Sequence, residues 1–228
     1  FSTIKMSLEW TTGEQLGKDG KEGITYIGTL KRRFKGSVLD MPVQLRKGAR
    51  VAVKTFRAKK SVARIEKEAT LQQKCAKAGI SPQVYGIDAD KKCIVMQMLA
   101  SLPVETYREQ ELPEDLQYQI CALMHRLDEA KVLHNDMNAH NVMLDESGRP
   151  YMIDFGLAKP ITGTVTKKFG DAPNIKVTLW GLVRGFKRCK VQCPIMEQCL
   201  KAKDISSYFD RGESLFMSSG HRRKRRKR

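Results

Sequence analysis

No apolar run in this 228-residue chain approaches the about 20 consecutive residues that a membrane span requires. The longest, Cys93–Ala100, is interrupted by Gln97, and no segment near the N-terminus resembles a signal peptide. The six cysteines lack the even, close spacing of a disulfide framework, and Cys189, Cys193 and Cys199 lack a nearby fourth ligand for zinc. These absences predict a soluble, intracellular protein with reduced thiols and no membrane contact.

Acidic residues are too few to balance the basic ones, and the formal net charge is +17. Residues 31–60 contain 11 Lys or Arg against one acid, Asp40, and the last seven residues, Arg222–Arg228, add seven more positive charges. Both basic regions favour an anionic partner such as nucleic acid, and the tail is typical of a nuclear-localisation or nucleic-acid-binding segment. For residues 31–60 the alternatives are an acidic substrate, or no partner, with the charge around 31–35 on a solvated strand edge or hairpin. A solvated, disordered end is the alternative for the tail, because it has no apolar residue with which to fold.

The hydrophobic pattern places strands early in the chain and helices later. Segments typical of strands are Ile24–Leu30, Arg50–Phe56, 83–87, 93–98, and the hairpin formed by 141–144 and 151–153. Segments typical of helices are 61–78, which begins at a capping Ser61 and ends at Gly79, and the stretch after Pro113, where Leu116, Ile120, Leu123 and Leu127 share one face. This order predicts an α+β protein.

Four features that carry reactive side chains follow one another along the chain. They are Val51-Ala52-Val53-Lys54, Glu68 on the apolar side of helix 61–78, His134-Asn135-Asp136 with Asn141 five residues later, and Asp154-Phe155-Gly156. A glutamate that faces a core requires a cation, which makes Lys54 the expected partner of Glu68. In this order the features resemble the strand lysine, catalytic loop and metal-binding motif of the protein kinase superfamily.

The resemblance covers about residues 16–159 and implies a bilobal, protein-kinase-like fold with a shortened C-terminal lobe. The expected domains are an ATP-covering N-terminal lobe over 1–98, a helical C-terminal lobe with the catalytic loop over 99–216, and a basic disordered tail over 217–228. Only 72 residues follow Gly156, and no Ala-Pro-Glu motif follows Lys159. The peptide-docking half of the second lobe is therefore expected to be reduced.

The same resemblance implies a role for each reactive side chain. Lys54 would hold the α- and β-phosphates of ATP, and Glu68 would fix Lys54. Asp136 would orient the attacking hydroxyl and accept its proton. Asn141 and Asp154 would bind Mg²⁺.

Two further segments are predicted to contact the nucleotide. Gly17, Gly20 and Gly23 depart from the Gly-x-Gly-x-x-Gly spacing of the family but favour a turn that covers phosphates; an ordinary hairpin is the alternative. Residues 96–99 resemble the connector whose backbone groups meet adenine, so Met96 and Met98 are included as nucleotide contacts.

Two departures bear on regulation and efficiency. Asn135 replaces the Arg that commonly pairs with a phosphorylated activation loop, and Asn138 stands where Ser/Thr kinases usually place Lys.

The run Ala78–Asp88 resembles the small atypical kinases of the KEOPS tRNA-modifying complex and, more distantly, the RIO kinases. The size also fits a reduced kinase of a large DNA virus.

The function favoured by these features is ATP- and Mg²⁺-dependent phosphorylation of Ser or Thr on protein, or of the chain itself. One alternative is a compact ATPase-like module in a tRNA-modifying assembly. Another is a catalytically weak pseudokinase that serves as a basic binding module, which Asn138 and the irregular glycine spacing favour.

Overall fold

The computed structural model describes residues 8–17, 19–20, 22–102, 104–136 and 138–225, in two units with the bounds Phe1–Leu99 and Ala100–Arg228. Strands dominate the first unit and helices the second, which confirms the α+β prediction. In the part of the chain that the structure describes, no helix is both long enough and apolar enough to cross a membrane.

A five-stranded antiparallel sheet forms the centre of the N-terminal unit. In spatial order its strands are β1 (Trp10–Leu16), β2 (Gly23–Leu30), β5 (Arg50–Phe56), β7 (Cys93–Gln97) and β6 (Val84–Asp88). Because side chains alternate between the faces of a strand, β5 directs Val51 and Val53 into one apolar cluster and Ala52 and Phe56 into another. Lys54 shares the face of Ala52 and Phe56.

That face of the sheet is covered by α1 (Val62–Lys77) and by the hairpin of β3 (Phe34–Val38) and β4 (Met41–Leu45). The helix begins after Ser61, whose hydroxyl accepts from the Arg64 N–H at 3.4 Å, and the chain leaves it at Gly79 with φ of +68°. The buried Gln73 donates to the Val38 carbonyl at 2.9 Å and accepts from the Val84 N–H at 2.8 Å. One amide therefore ties the hairpin to α1 and β6.

The C-terminal unit is built around α2 (Glu114–Glu129), whose predicted stripe Leu116, Ile120, Leu123 and Leu127 is buried. The other helices are α3 (Gly163–Phe169), α4 (Trp180–Arg188), α5 (Pro194–Lys201) and α6 (Ser206–Arg225). The short strands are β8 (Ala100–Ser101), β9 (Val132–Leu133), β10 (Val142–Leu144), β11 (Pro150–Met152) and β12 (Lys159–Pro160). β10 pairs with both β8 and β11, and β12 pairs with β9.

Helix α6 corrects the expectation of a disordered end over 217–228, because the chain is helical as far as Arg225. The helix is anchored on α2, where Phe209 stacks on His125 at 4.5 Å and Arg126 binds both carboxylate oxygens of Glu213. Once a helix is nucleated, each added residue contributes one hydrogen bond, and Lys and Arg are good helix formers. Residues 226–228 lie outside the described part of the chain.

We expect Gly212→Ala to destabilise the protein by about 1–3 kcal/mol, because the added methyl overpacks the contact between α2 and α6. A Cβ at Gly212 would lie 2.3 Å from the Tyr118 carbonyl oxygen and 2.6 Å from the Ala122 Cβ. Thermal unfolding measures the effect. Gly163→Ala is the matched control, since a Cβ there would meet no atom within 4 Å. Equal midpoints for the two variants would contradict the prediction.

Candidate active site

The structure distributes the predicted site residues over both units. The N-terminal unit contains Gly17, Gly20, Gly23, Lys54, Glu68, Met96 and Met98, and the C-terminal unit contains Asp136, Asn141 and Asp154.

Lys54 and Glu68 form a buried ion pair in the N-terminal unit. The Lys54 Nζ on β5 donates to the Glu68 Oε1 on α1 at 2.7 Å. Glu68 is only 2% exposed, so its charge requires such compensation. The pairing expected from the sequence is thus present, while the role of the pair toward a nucleotide stays a prediction.

A second lysine, Lys60, joins this pair and was missed by the sequence analysis. Its Nζ donates to the Glu68 Oε2 at 2.6 Å and also to the Glu22 carboxylate. The ammonium groups of Lys54 and Lys60 lie 5.1 and 4.4 Å from the centre of the Phe56 ring. These contacts join the ammonium groups of Lys54 and Lys60 to the carboxylates of Glu68 and Glu22. The hint in the sequence is the position of Lys60, one residue before the helix cap.

Gly17 and Gly20 lie in the connection between β1 and β2, and Gly23 is the first residue of β2. Gly17 has a φ of +72°, which favours glycine, and the Gly20 N–H donates to the Gly23 carbonyl at 3.0 Å. A Cβ on Gly23 would lie 2.2 Å from the Thr55 carbonyl oxygen, so close strand packing already requires glycine there. Arg57 donates to the Gly20 carbonyl at 3.2 Å. Contact with phosphates stays a prediction, and residues 18 and 21 lie outside the described chain.

Met96 and Met98 occupy different environments. Met96 is buried within β7, where it pairs with Ala52 on one side and Val84 on the other, and Gln72 donates to its sulfur at 3.4 Å. Met98 follows the last residue of β7 and is half-buried. Of the two, Met98 therefore has its backbone outside the strand pairing.

In the C-terminal unit, His134 braces the loop that leads to Asp136. Its Nε2 donates to the Ile153 carbonyl at 2.9 Å, and its ring meets the Phe155 ring edge to face at 4.8 Å. Burial lowers the pKa of His134, against the opposing influence of the Asp136 and Asp154 carboxylates. The neutral ring thus links the predicted catalytic loop to the Asp-Phe-Gly segment, as its predicted structural role requires.

Two residues of these loops adopt the left-handed backbone conformation, which few residues other than glycine adopt. Asn135 has a φ of +62° and Asp154 a φ of +63°. Asparagine is among the residues that tolerate this conformation best, which gives a local reason for Asn135 in place of Arg. Asn135 donates to the Leu157 carbonyl at 3.4 Å, and the Gly156 N–H donates to the Asp154 Oδ1 at 3.4 Å. Strained backbone of this kind clusters at functional sites.

Asn141 and Asp154 fit a hard divalent cation by the chemistry of their donors. Side-chain amide and carboxylate oxygens are the ligands that Mg²⁺ prefers. Asn141 is 5% exposed, and within the described residues its side-chain nitrogen has no hydrogen-bond partner. Its backbone carbonyl accepts from the Ile153 N–H at 2.9 Å, which holds it beside the segment that carries Asp154.

The buried Asn174 is a second residue that the sequence analysis missed. Its Oδ1 accepts from the His134 N–H at 3.1 Å and from the Thr178 hydroxyl at 2.9 Å. Its Nδ2 donates to the Asp128 Oδ1 at 2.6 Å and to the Val132 carbonyl at 2.8 Å. Asn174 thereby fixes the start of the predicted catalytic loop to the end of α2. No sequence motif marks this residue.

The buried carboxyl of Asp128 predicts a pH dependence of stability. Burial raises its pKa to about 6, although hydrogen bonds from Asn174 oppose the shift. Because the folded state then binds the proton more tightly than the unfolded state, stability is lost as the pH rises from about 4 to about 6. This loss amounts to at most about 3 kcal/mol. Asp128→Asn removes the titration.

Urea unfolding of both proteins at several pH values measures this effect. We expect Asp128→Asn to gain stability relative to the wild type as the pH rises from 4 to 7. A difference between the two proteins that does not change with pH would contradict the shifted pKa.

Comparison of the sequence with known proteins finds a kinase-related domain family and several protein kinases. A profile of the RIO domain matches residues 41–164. Serine/threonine-protein kinase pakH of Dictyostelium discoideum is 23% identical over 177 residues, 72% of this chain and 33% of that protein. Receptor-like protein kinase HAIKU2 of Arabidopsis thaliana is 44% identical over 57 residues, 25% of this chain and 6% of that protein. A G-type lectin S-receptor-like serine/threonine-protein kinase of the same plant is 30% identical over 90 residues, 34% of this chain and 11% of that protein.

The chain spans a third or less of the length of these curated relatives. The RIO match covers more than half of the 228 residues and includes Lys54, Glu68, Asp136, Asn141 and Asp154. The predicted kinase-like fold and the predicted similarity to RIO kinases are thereby confirmed. The chain belongs to the RIO domain family, within the protein kinase superfamily.

Proposed function

We propose that this chain transfers the γ-phosphoryl group of ATP to Ser or Thr hydroxyls of a protein, which is either a partner or the chain itself. The observation that carries the proposal is the buried pair of Lys54 and Glu68, together with a braced loop that bears Asp136. Phosphoryl transfer asks a protein mainly to position its reactants and to compensate charge, and these residues offer both.

The N-terminal unit supplies positive charge for the nucleotide. The Lys54 ammonium is held by Glu68, which itself is held by Lys60. An ammonium fixed in this way binds phosphate oxygens without first losing side-chain freedom.

The C-terminal unit supplies the groups for the reacting hydroxyl. The Asp136 carboxylate orients that hydroxyl and accepts its proton as the oxygen attacks the γ-phosphorus. The new O–P bond forms as the bond to the bridging oxygen breaks, and ADP leaves with that oxygen. Asn141 and Asp154 would hold Mg²⁺, which offsets the charge of the phosphate oxygens when it is bound.

The test is transfer of label from γ-labelled ATP with Mg²⁺, with a basic protein, an acidic protein or no added substrate. We expect label on protein, and loss of that label in Asp154→Asn and in the presence of a chelator. Free phosphate without labelled protein would instead support the ATPase-like module. Bound ATP without turnover would support the binding module.

A second function is favoured by the distribution of the basic residues 31–60. Lys54 and Lys60 belong to the buried ion network, and Arg57 holds the glycine connection. Most of the others are exposed: Lys31, Arg33, Arg46 and Lys47 on two turns that adjoin one end of the sheet, Lys35 on β3, and Arg50 at the start of β5. The Leu30 N–H donates to the Ala49 carbonyl at 3.0 Å, and the Gly48 N–H donates to the Leu30 carbonyl at 2.9 Å.

We propose that these basic turns bind single-stranded RNA through its phosphates, and that the tail Arg222–Arg228 adds affinity or directs the chain to the nucleus. The affinity would then fall steeply with salt. The triple variant Lys31→Ser, Arg33→Ser and Lys47→Ser should flatten the slope of log affinity against log salt by about 2. Binding is measured by fluorescence anisotropy. An unchanged slope would overturn the role of the turns, and loss of binding on tail truncation would assign it to the tail.

A further inference from the structure

The ammonium of Lys60 joins two elements that the proposed function uses for the nucleotide. One of its partners is Glu68, which holds Lys54. The other is Glu22, which lies between Gly20 and Gly23 in the glycine-containing connection. A single buried cation thus ties the predicted phosphate-covering segment to the Lys54–Glu68 pair.

The backbone around Lys60 is held in place, so the side chain starts from a defined position. The Lys60 N–H donates to the Arg57 carbonyl at 3.0 Å. Lys92 lies in the turn directly before β7, and its ammonium donates to the Lys60 carbonyl at 3.2 Å and also to the Ala58 carbonyl. The Lys60 side chain is 8% exposed. These contacts distinguish it from the adjacent Lys59, which is exposed.

Lys60 affects the charge around Lys54 through the carboxylate of Glu68, which both lysines contact. Glu68 offers two oxygens, and each one accepts from a different ammonium, Oε1 from Lys54 and Oε2 from Lys60. With Lys60 in place, the charge of Glu68 is shared, so Lys54 keeps positive charge for phosphate oxygens. Without Lys60, the charge of Glu68 rests on Lys54, and the attraction of Lys54 for phosphate weakens.

We infer that Lys60 is a positioning residue that raises nucleotide affinity by holding Glu68 and Glu22 at once. This inference rests on the proposed function, since it concerns the same site. Lys60 acts through these two carboxylates.

The test compares Lys60→Met with Lys60→Arg and with the matched control Lys59→Met. We expect the Kd and KM for ATP to rise about tenfold in Lys60→Met, while kcat at saturating ATP changes far less, because the chemical groups lie on the C-terminal unit. Lys60→Arg keeps the positive charge and should restore most of the affinity. Lys59→Met should match the wild type. A fall in the unfolding midpoint of Lys60→Met with unchanged Kd and KM would overturn the inference in favour of a merely structural role.

A second variant keeps the inference falsifiable if Lys60→Met does not fold. Glu22 is 44% exposed, and Glu22→Gln leaves the contact between Lys60 and Glu68 in place. We expect Glu22→Gln to weaken ATP binding by a smaller factor than Lys60→Met, because the pair of Lys60 and Glu68 remains. Unchanged ATP binding in Glu22→Gln would overturn the link to the glycine-containing connection.

The outcomes separate this inference from the proposed function. Wild-type protein that binds and turns over ATP, with Lys60→Met indistinguishable from it, overturns the inference alone. Wild-type protein that neither binds nor turns over ATP overturns both.

Discussion

Asp136→Asn is expected to lower kcat for phosphoryl transfer by about 10²–10⁴-fold and to leave the affinity for ATP unchanged. The amide keeps the size and hydrogen-bonding oxygen of the side chain but cannot accept the proton of the attacking hydroxyl. The loop that carries it is braced by His134 and Asn174, whose contacts the substitution does not touch. Fold and nucleotide binding should therefore survive.

The measurement pairs initial rates of label transfer with a direct titration of ATP. Asp171→Asn is the matched control, because it makes the same change at an exposed aspartate of the same unit. Full activity in Asp136→Asn would show that another group accepts the proton. A parallel loss of ATP binding would show that Asp136 acts on the nucleotide rather than on the hydroxyl.

Glu68→Ala is expected to destabilise the protein by about 3–5 kcal/mol, the range typical when one partner of a buried ion pair is removed. The substitution leaves the ammonium groups of Lys54 and Lys60 without the carboxylate that both contact. Glu68→Gln retains the shape of the side chain but not its charge. We expect it to destabilise less and still to weaken ATP binding, because Lys54 is no longer held by an anion.

Urea unfolding gives the stabilities, and nucleotide titration gives the affinities. Glu66→Ala is the control on the same helix, since Glu66 lies two residues away and is more exposed than Glu68. A loss below about 1 kcal/mol, the value usual for exposed ion pairs, would show that the network contributes little to the fold.

Together, the two substitutions separate chemistry from organisation. Asp136→Asn should change turnover without changing stability or affinity, whereas Glu68→Ala should change stability and affinity together. A protein in which both variants behaved alike would not have the division of roles that the proposed function requires.

Local pattern was enough to predict several of the elements that carry the motif residues. The cap at Ser61, the stripe of α2 and the strand alternation around Lys54 depend on residues within a few positions of one another, and the structure has all three. The pairing of Lys54 with Glu68 could also be predicted, because a buried carboxylate requires a cation and a neighbouring apolar strand carries a lysine.

Contacts between residues far apart in the chain were decided by tertiary structure alone. Lys60 and Glu22 are 38 residues apart, and Asn174 is 40 residues from His134. Their contacts depend on how strands and helices pack, and no local period or motif encodes such a distance. The helical extension to Arg225 was missed for a related reason. The basic residues have no apolar face of their own, and the helix they extend is anchored earlier, where Phe209 and Glu213 contact α2.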